Sequence, residues 1–240
     1  MTKNFLFVCG CPRSGTTALW RLLSSDQNIR LGVERYGNRF FSRDFLTPDL
    51  FDKERFYDNQ PGDTFYSDLK AFNRYYEDSQ EGYDEATYFG DKIPKLYDYL
   101  DRVQENFDGA KTIFIFRNIF DVAASYKVRQ LDENDNWNSG VTEAIDEWNT
   151  SLKRAEAYDG DMLLVDYERL FMEGQGLERI YAYLDLEVTE EIATVFRHIR
   201  ARSDQLESSR PRALTALEVK EICTMADFAA YQRLVKRVAE

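Results

Sequence analysis

Eight residues near the N-terminus carry the first chemistry: Gly10-Cys11-Pro12-Arg13-Ser14-Gly15-Thr16-Thr17, directly after the apolar run at 5–9. The stretch is close to the phosphate-binding pattern G-x-x-x-x-G-K-[ST]. Gly10 and Gly15 keep its spacing and Thr17 fills its hydroxyl slot, but Thr16 stands where the lysine belongs. Successive backbone N–H groups in such a loop, and the positive end of the helix that follows, favour an anion. Ser14, Thr16 and Thr17 add hydroxyl donors, and Arg13 adds a planar cationic fork suited to the oxygens of a tetrahedral centre. The missing lysine is the one that reaches the outer phosphates of a triphosphate. The loop therefore calls for an anion of another kind.

A second anion site is written further along. Arg117 ends the apolar run at 112–116, and Ser125 follows eight residues later in a helical stretch. Together they suit another phosphate, while Asp121 lies in the first helical turn, where a carboxylate complements the helix dipole. A third apolar run, at 162–165, ends in Asp166.

These residues need elements to hold them. The runs at 5–9, 112–116 and 162–165 read as buried strands, and each is followed by a helical pattern. Apolar strands alternating with helices specify a parallel sheet with crossovers, hence an α/β sandwich. Residues 137–158 read as a helix, and the tail from Thr215 as one amphipathic helix with Leu217, Ile222, Ala226, Ala229 and Leu234 on its apolar face. Residues 40–89 differ: they hold 14 of the 35 aromatics, with 12 acidic residues against five basic ones. We read them as an irregular insertion or lid, acidic and pinned by aromatic anchors, within a single domain spanning residues 1–240.

Composition narrows the function classes. A net charge of −12 and a pI near 4.7 argue against a nucleic-acid surface, which needs a basic face. Any polyanion must then be held by a local cluster. Three cysteines imply no disulfide framework, and a single histidine with no C-x-x-C argues against zinc. No apolar run reaches the length of a signal-peptide core or a membrane span, so no membrane anchor is expected and a cytoplasmic location is.

The two loops, PRSGTT and RNIFDVAASY, resemble the cofactor loops of sulfotransferases that use PAPS, 3′-phosphoadenosine 5′-phosphosulfate. The motifs are most similar to the tyrosylprotein and carbohydrate branches. The resemblance implies a three-layer α/β/α sandwich with a central parallel sheet, like that of P-loop nucleotide-triphosphate hydrolases. It implies a first loop (Arg13, Ser14, Gly15, Thr16, Thr17) on the 5′-phosphosulfate and a second (Arg117, Ser125) on the 3′-phosphate, with PAP as product. A sulfotransferase has no γ-phosphate to reach, which accounts for the absent lysine. RLGVERYG at 30–37 resembles the segment carrying a catalytic glutamate, here Glu34, and GDKIPKLY at 90–97 the Lys-x-Pro segment, here Lys92. VDYERL at 165–170 is similar to the motif whose tyrosine, Tyr167, lies by the adenine, and 203–214 to the segment closing over the cofactor, with Ser203 and Arg210. The histidine base of the family's cytosolic small-molecule branch has no counterpart here. The only histidine, His198, reads as a helix-surface residue, which leaves Glu34 as the base, with Lys92 and Arg13 beside the reacting group.

The alternative reading is a P-loop kinase or nucleotide hydrolase using Mg-ATP, with Asp166 holding the metal. A non-catalytic nucleotide-binding module is a third. The acceptor is not legible beyond a small-molecule, glycan, lipid or tyrosine-containing compound, and neither is the oligomeric state.

Overall fold

The computed structural model describes residues 3–39, 45–64, 73–133, 137–209 and 214–239. Five strands, β1 (Asn4–Cys9), β2 (Ile29–Val33), β3 (Tyr88–Lys92), β4 (Lys111–Phe116) and β5 (Met162–Asp166), form one sheet in the order β2-β3-β1-β4-β5. Every neighbouring pair is parallel. Because side chains alternate along a strand, β1, β4 and β5 each feed two cores. Phe5, Phe7, Phe114, Phe116 and Leu164 join one apolar cluster, while Leu6, Val8, Ile113, Ile115, Leu163 and Val165 join the other.

The second cluster is closed by α1 (Thr16–Leu23), α7 (Leu177–Tyr183) and α8 (Glu190–Ser209). The first is closed by α2 (Lys53–Tyr57), α4 (Leu100–Asn106), α5 (Ile119–Gln130), α6 (Val141–Ala157), α9 (Ala216–Met225) and α10 (Phe228–Ala239). The result is the three-layer α/β/α sandwich. From central β1 the chain runs to β2 and β3 on one side, then crosses to β4 and β5 on the other. That reversal opens a crevice at the carboxyl ends of β1 and β4, where ligands of open α/β sheets bind.

Several sequence expectations need correction. β2 and β3 were not among the expected strands, because Arg30, Gly32, Gly90, Asp91 and Lys92 interrupt their apolar runs. In the described parts of 40–89, Phe45, Phe51, Phe56 and Tyr83 are buried in the same core as β1. Within this segment, α3 (Asn73–Ser79) blocks the outer edge of β2. Tyr75 Oη accepts from Leu31 N at 3.1 Å and donates to Leu31 O at 2.7 Å, and Tyr76 Oη accepts from Val33 N at 3.1 Å. The tail is two helices rather than one. Asp227 breaks it and caps α10, its Oδ1 accepting from Ala230 N at 2.9 Å. Leu217, placed on the expected apolar face, is 79% exposed, while Ile222 and Leu234 are buried. Of the three cysteines, Cys9 and Cys11 are buried on β1 and its loop, and Cys223 is exposed on α9.

Candidate active site

The loop from Gly10 to Gly15 turns β1 into α1 and is packed too tightly for side chains at either glycine. A Cβ on Gly10 would stand 2.1 Å from the backbone oxygen of Ile115 on β4, and one on Gly15 2.4 Å from Cδ2 of the Tyr167 ring. Both glycines take positive φ, 153° and 99°. The first turn of α1, whose N–H donors have no partner inside the helix, follows directly on this loop. Gly10 N donates to Pro94 O at 3.0 Å, which ties the loop to the segment after β3.

The second loop is locked beside the first. Arg13 Nε donates to Ser125 Oγ at 2.9 Å, joining them directly. Trp148 Nε1 donates to Arg117 O at 2.8 Å, and the Arg117 guanidinium lies over the Tyr167 ring at 4.0 Å from its centroid. Asn118 caps α5, its Oδ1 accepting from Asp121 N at 3.0 Å. Asp121 lies 3.5 Å and Glu168 3.9 Å from Arg117. Burial first, and the Asp166 charge second, push the Glu168 carboxyl up to about 7.

Between these loops lies a cleft of about 550 Å³. The structure brings Arg13, Gly15, Thr16, Thr17, Arg117, Ser125, Tyr167 and Ser203 together on its walls, although Ser203 comes from distant α8. Arg21, His198 and Arg202 also line it, and composition and spacing gave no signal for them. His198 is exposed on α8, as read from the sequence, and lies on the cleft wall. Among the described residues, four arginines and one histidine line the cleft and no carboxylate does. Ser14 does not line it: it is fully buried beside the Cys11 thiol, and its Oγ makes no hydrogen bond of ordinary geometry among the described residues. Arg210 lies outside the described residues.

Glu34 and Lys92 do not line the cleft; they lie at the carboxyl ends of β2 and β3. Lys92 pairs with Val8 of β1, two residues before the loop begins. Its Nζ reaches Glu34 Oε1 at 2.6 Å, with the lysine buried and the glutamate partly open. Glu34 has φ 53°, in the left-handed region. For a non-glycine residue this costs on the order of 1–3 kcal/mol and tends to persist where geometry serves function. Asp166, the metal residue of the alternative reading, caps the turn after β5 instead. Its Oδ1 accepts from Glu168 N at 2.9 Å and Arg169 N at 3.2 Å, and it does not line the cleft.

The chain belongs to the sulfotransferase family, whose sequence model matches residues 6–190. A sulfotransferase domain from the curacin biosynthetic pathway is similar at a TM-score of 0.56 and 15% identity, over 99% of this chain and 98% of its own. A sulfotransferase from Alicyclobacillus acidocaldarius gives 0.52 at 17% identity, over 86% of this chain and 96% of its own. A mouse sulfotransferase complexed with PAP gives 0.50 at 16%, over 83% of this chain and 65% of its own. At these identities the structural likeness is one of fold. No curated protein matches the sequence.

Proposed function

We propose that this chain transfers the sulfuryl group of PAPS to a hydroxyl or amine acceptor. The observation that carries the reading is the cleft. In a chain of net charge −12, cations and helix-end donors gather around one cavity that no described carboxylate lines. The residues fit a doubly anionic nucleotide: two glycines that exclude a Cβ, hydroxyls at Thr16 and Thr17 on the cleft wall, and two arginine-bearing loops joined by a hydrogen bond.

In this reading Arg13, Thr16, Thr17 and the loop N–H groups hold the 5′-phosphosulfate, and Arg117 and Ser125 hold the 3′-phosphate. Tyr167, with Ser203 across the cleft, borders the adenine. PAPS supplies an activated sulfuryl group. Transfer of this type needs an in-line arrangement and stabilisation of charge on the oxygens around the transferring centre. Glu34 takes the acceptor's proton, a step typically worth about 10²–10⁴-fold. Lys92 and Arg13 hold the charge that develops on the sulfuryl and bridging oxygens, with the loop N–H groups as preorganised donors. The acceptor is a hydroxyl or amine of a small molecule, glycan, lipid or tyrosine side chain. Sulfur-35 transfer from PAPS across those four classes assigns it.

Thermal stabilisation by PAP tests the cofactor site before any acceptor is known. A ligand at 100 times its Kd stabilises by about 2.7 kcal/mol. We expect a raised melting temperature with PAP that persists in EDTA and is lost in Arg117→Ala. Stabilisation by ATP with Mg²⁺ and none by PAP would sink the proposal. Glu34→Gln should keep the PAP shift and lose at least about 10²-fold in turnover.

A further inference from the structure

The turn that carries Glu34 is held from β3 by a carboxylate the transfer reaction does not touch. Asp91 precedes Lys92 and is fully buried. Its Oδ1 accepts from Arg35 N at 3.1 Å and its Oδ2 from Tyr36 N at 2.9 Å, the two residues after Glu34. Glu34 N donates to Lys92 O at 2.8 Å. Three successive N–H groups, from 34 to 36, therefore point at two residues of β3. Successive N–H groups with a left-handed residue among them form a concavity that accepts an anion. Gly32 leaves the room: a Cβ there would stand 2.7 Å from Asp91 Oδ1.

We propose that Asp91 is a positioning residue for sulfuryl transfer, its ionised carboxylate filling this concavity and so holding the Glu34 carboxylate against Lys92 Nζ. The proposal rests on Glu34 being the proton acceptor.

A turn kept for stability alone would be served better by a neutral side chain. Burial, the largest influence, pushes the Asp91 carboxyl up to about 7. The N–H groups of Tyr36 and Arg35 and the Lys92 charge oppose it, and the Glu34 charge adds to it. The Asp91 charge also acts on the Tyr76 hydroxyl of α3, while the Arg35 guanidinium is spent on acceptors at 55–63. Since the folded carboxyl lies above its ordinary 3.8, the folded chain binds more protons than the unfolded one between those values. Stability therefore falls as pH rises through that window. Ionised Asp91 thus weakens the fold while fixing the turn. Protonated, it would present an O–H towards an N–H and release one of the two amides.

Amide hydrogen exchange by NMR on the full chain tests this without an acceptor. Asp91→Asn keeps one acceptor oxygen and Asp91→Ala keeps none. The first should raise exchange at one of the Arg35 and Tyr36 amides, and the second at both, by about tenfold or more, the scale of a charge-assisted hydrogen bond. Core amides of β1 and β4 and the PAP-induced melting shift should stay unchanged in Asp91→Asn, and its melting temperature at pH 8 should not fall. In the wild type, protection at these two amides, corrected for intrinsic rates, should drop from pH 8 to pH 6, and in Asp91→Ala it should be flat. Unchanged protection at both amides in Asp91→Ala overturns the proposal. So does loss spread evenly over the sheet in Asp91→Asn, which marks a purely structural role. Full turnover in Glu34→Gln would remove the proton acceptor on which positioning depends, even where the exchange result stands, and so separates the two failures.

Discussion

At the scale of single residues, Glu168 makes a testable tension. It lies 3.9 Å from Arg117, the guanidinium assigned to the 3′-phosphate, and accepts from Asn118 N at 3.2 Å and Asn118 Nδ2 at 2.7 Å. Its carboxyl is raised from 4.5 to about 7, chiefly by burial. A carboxyl raised on folding binds more protons in the folded chain, so its contribution makes stability fall as pH rises from 4.5 towards 7. Glu168→Gln should flatten that slope, read as the difference between urea midpoints at pH 5 and pH 8. A slope identical to the wild type would show that Glu168 titrates normally. Arg13, Arg117 and Ser125 were legible in the sequence because loop grammar is local: strand, glycine, hydroxyl, helix. Arg21, His198 and Arg202 were not. Nothing within a few residues of them signals an anion, and they matter only because α8 packs across α1.

At the scale of elements, the turn after β2 is an anchor for the segment that follows. Arg35 is buried and donates to Phe56 O at 3.0 Å, Asn59 Oδ1 at 3.1 Å, Asp63 Oδ2 at 2.8 Å and Asp58 O at 2.7 Å. One side chain thus gathers 56–63 against the strand end that presents Glu34. Breaking a buried ion pair by removing one partner costs about 3–5 kcal/mol, because the other charge stays buried. Asp63→Ala should show a loss of that order in chemical denaturation. A change under about 1 kcal/mol would mean that Asn59 and the carbonyls suffice for Arg35. The sequence showed neither this anchor nor β2 and β3 themselves. Polar residues break those two apolar runs, and their strand identity is imposed by pairing of β3 with β1 and of β2 with β3, and by the tyrosines of α3. Phe51 of the 40–89 segment packs against Phe5, Phe7 and Phe107, partners too far away in sequence to be read from it.

At the scale of the molecule, an acidic chain must admit an anionic nucleotide. Charges within a Debye length of about 8–10 Å act at ordinary salt, and more distant ones are screened. The arginines of the cleft are therefore felt on approach while much of the acidic surface is not. Association of PAP should slow as salt is raised. Arg21→Gln combined with Arg202→Gln should lower the association rate at low salt by roughly tenfold, within the range of electrostatic steering. Stopped-flow rates at two ionic strengths read this, and equal rates in variant and wild type would exclude steering by that pair. The parallel sheet and its three layers were legible from the alternation of apolar runs and helices. The order of the strands was not, since it depends on which faces of β2 and β3 find partners.

The cysteines give the fold its own gauge of opening. Cys9 and Cys11 sit in the central strand and the anion loop, closed off and with thiols held neutral by burial, while Cys223 stands in solvent. The folded chain should consume one equivalent of an aromatic disulfide reagent at once, and the other two only as fast as the sheet and loop come apart. The slow phase then times excursions of the anion loop, and a nucleotide seated on that loop should lengthen it.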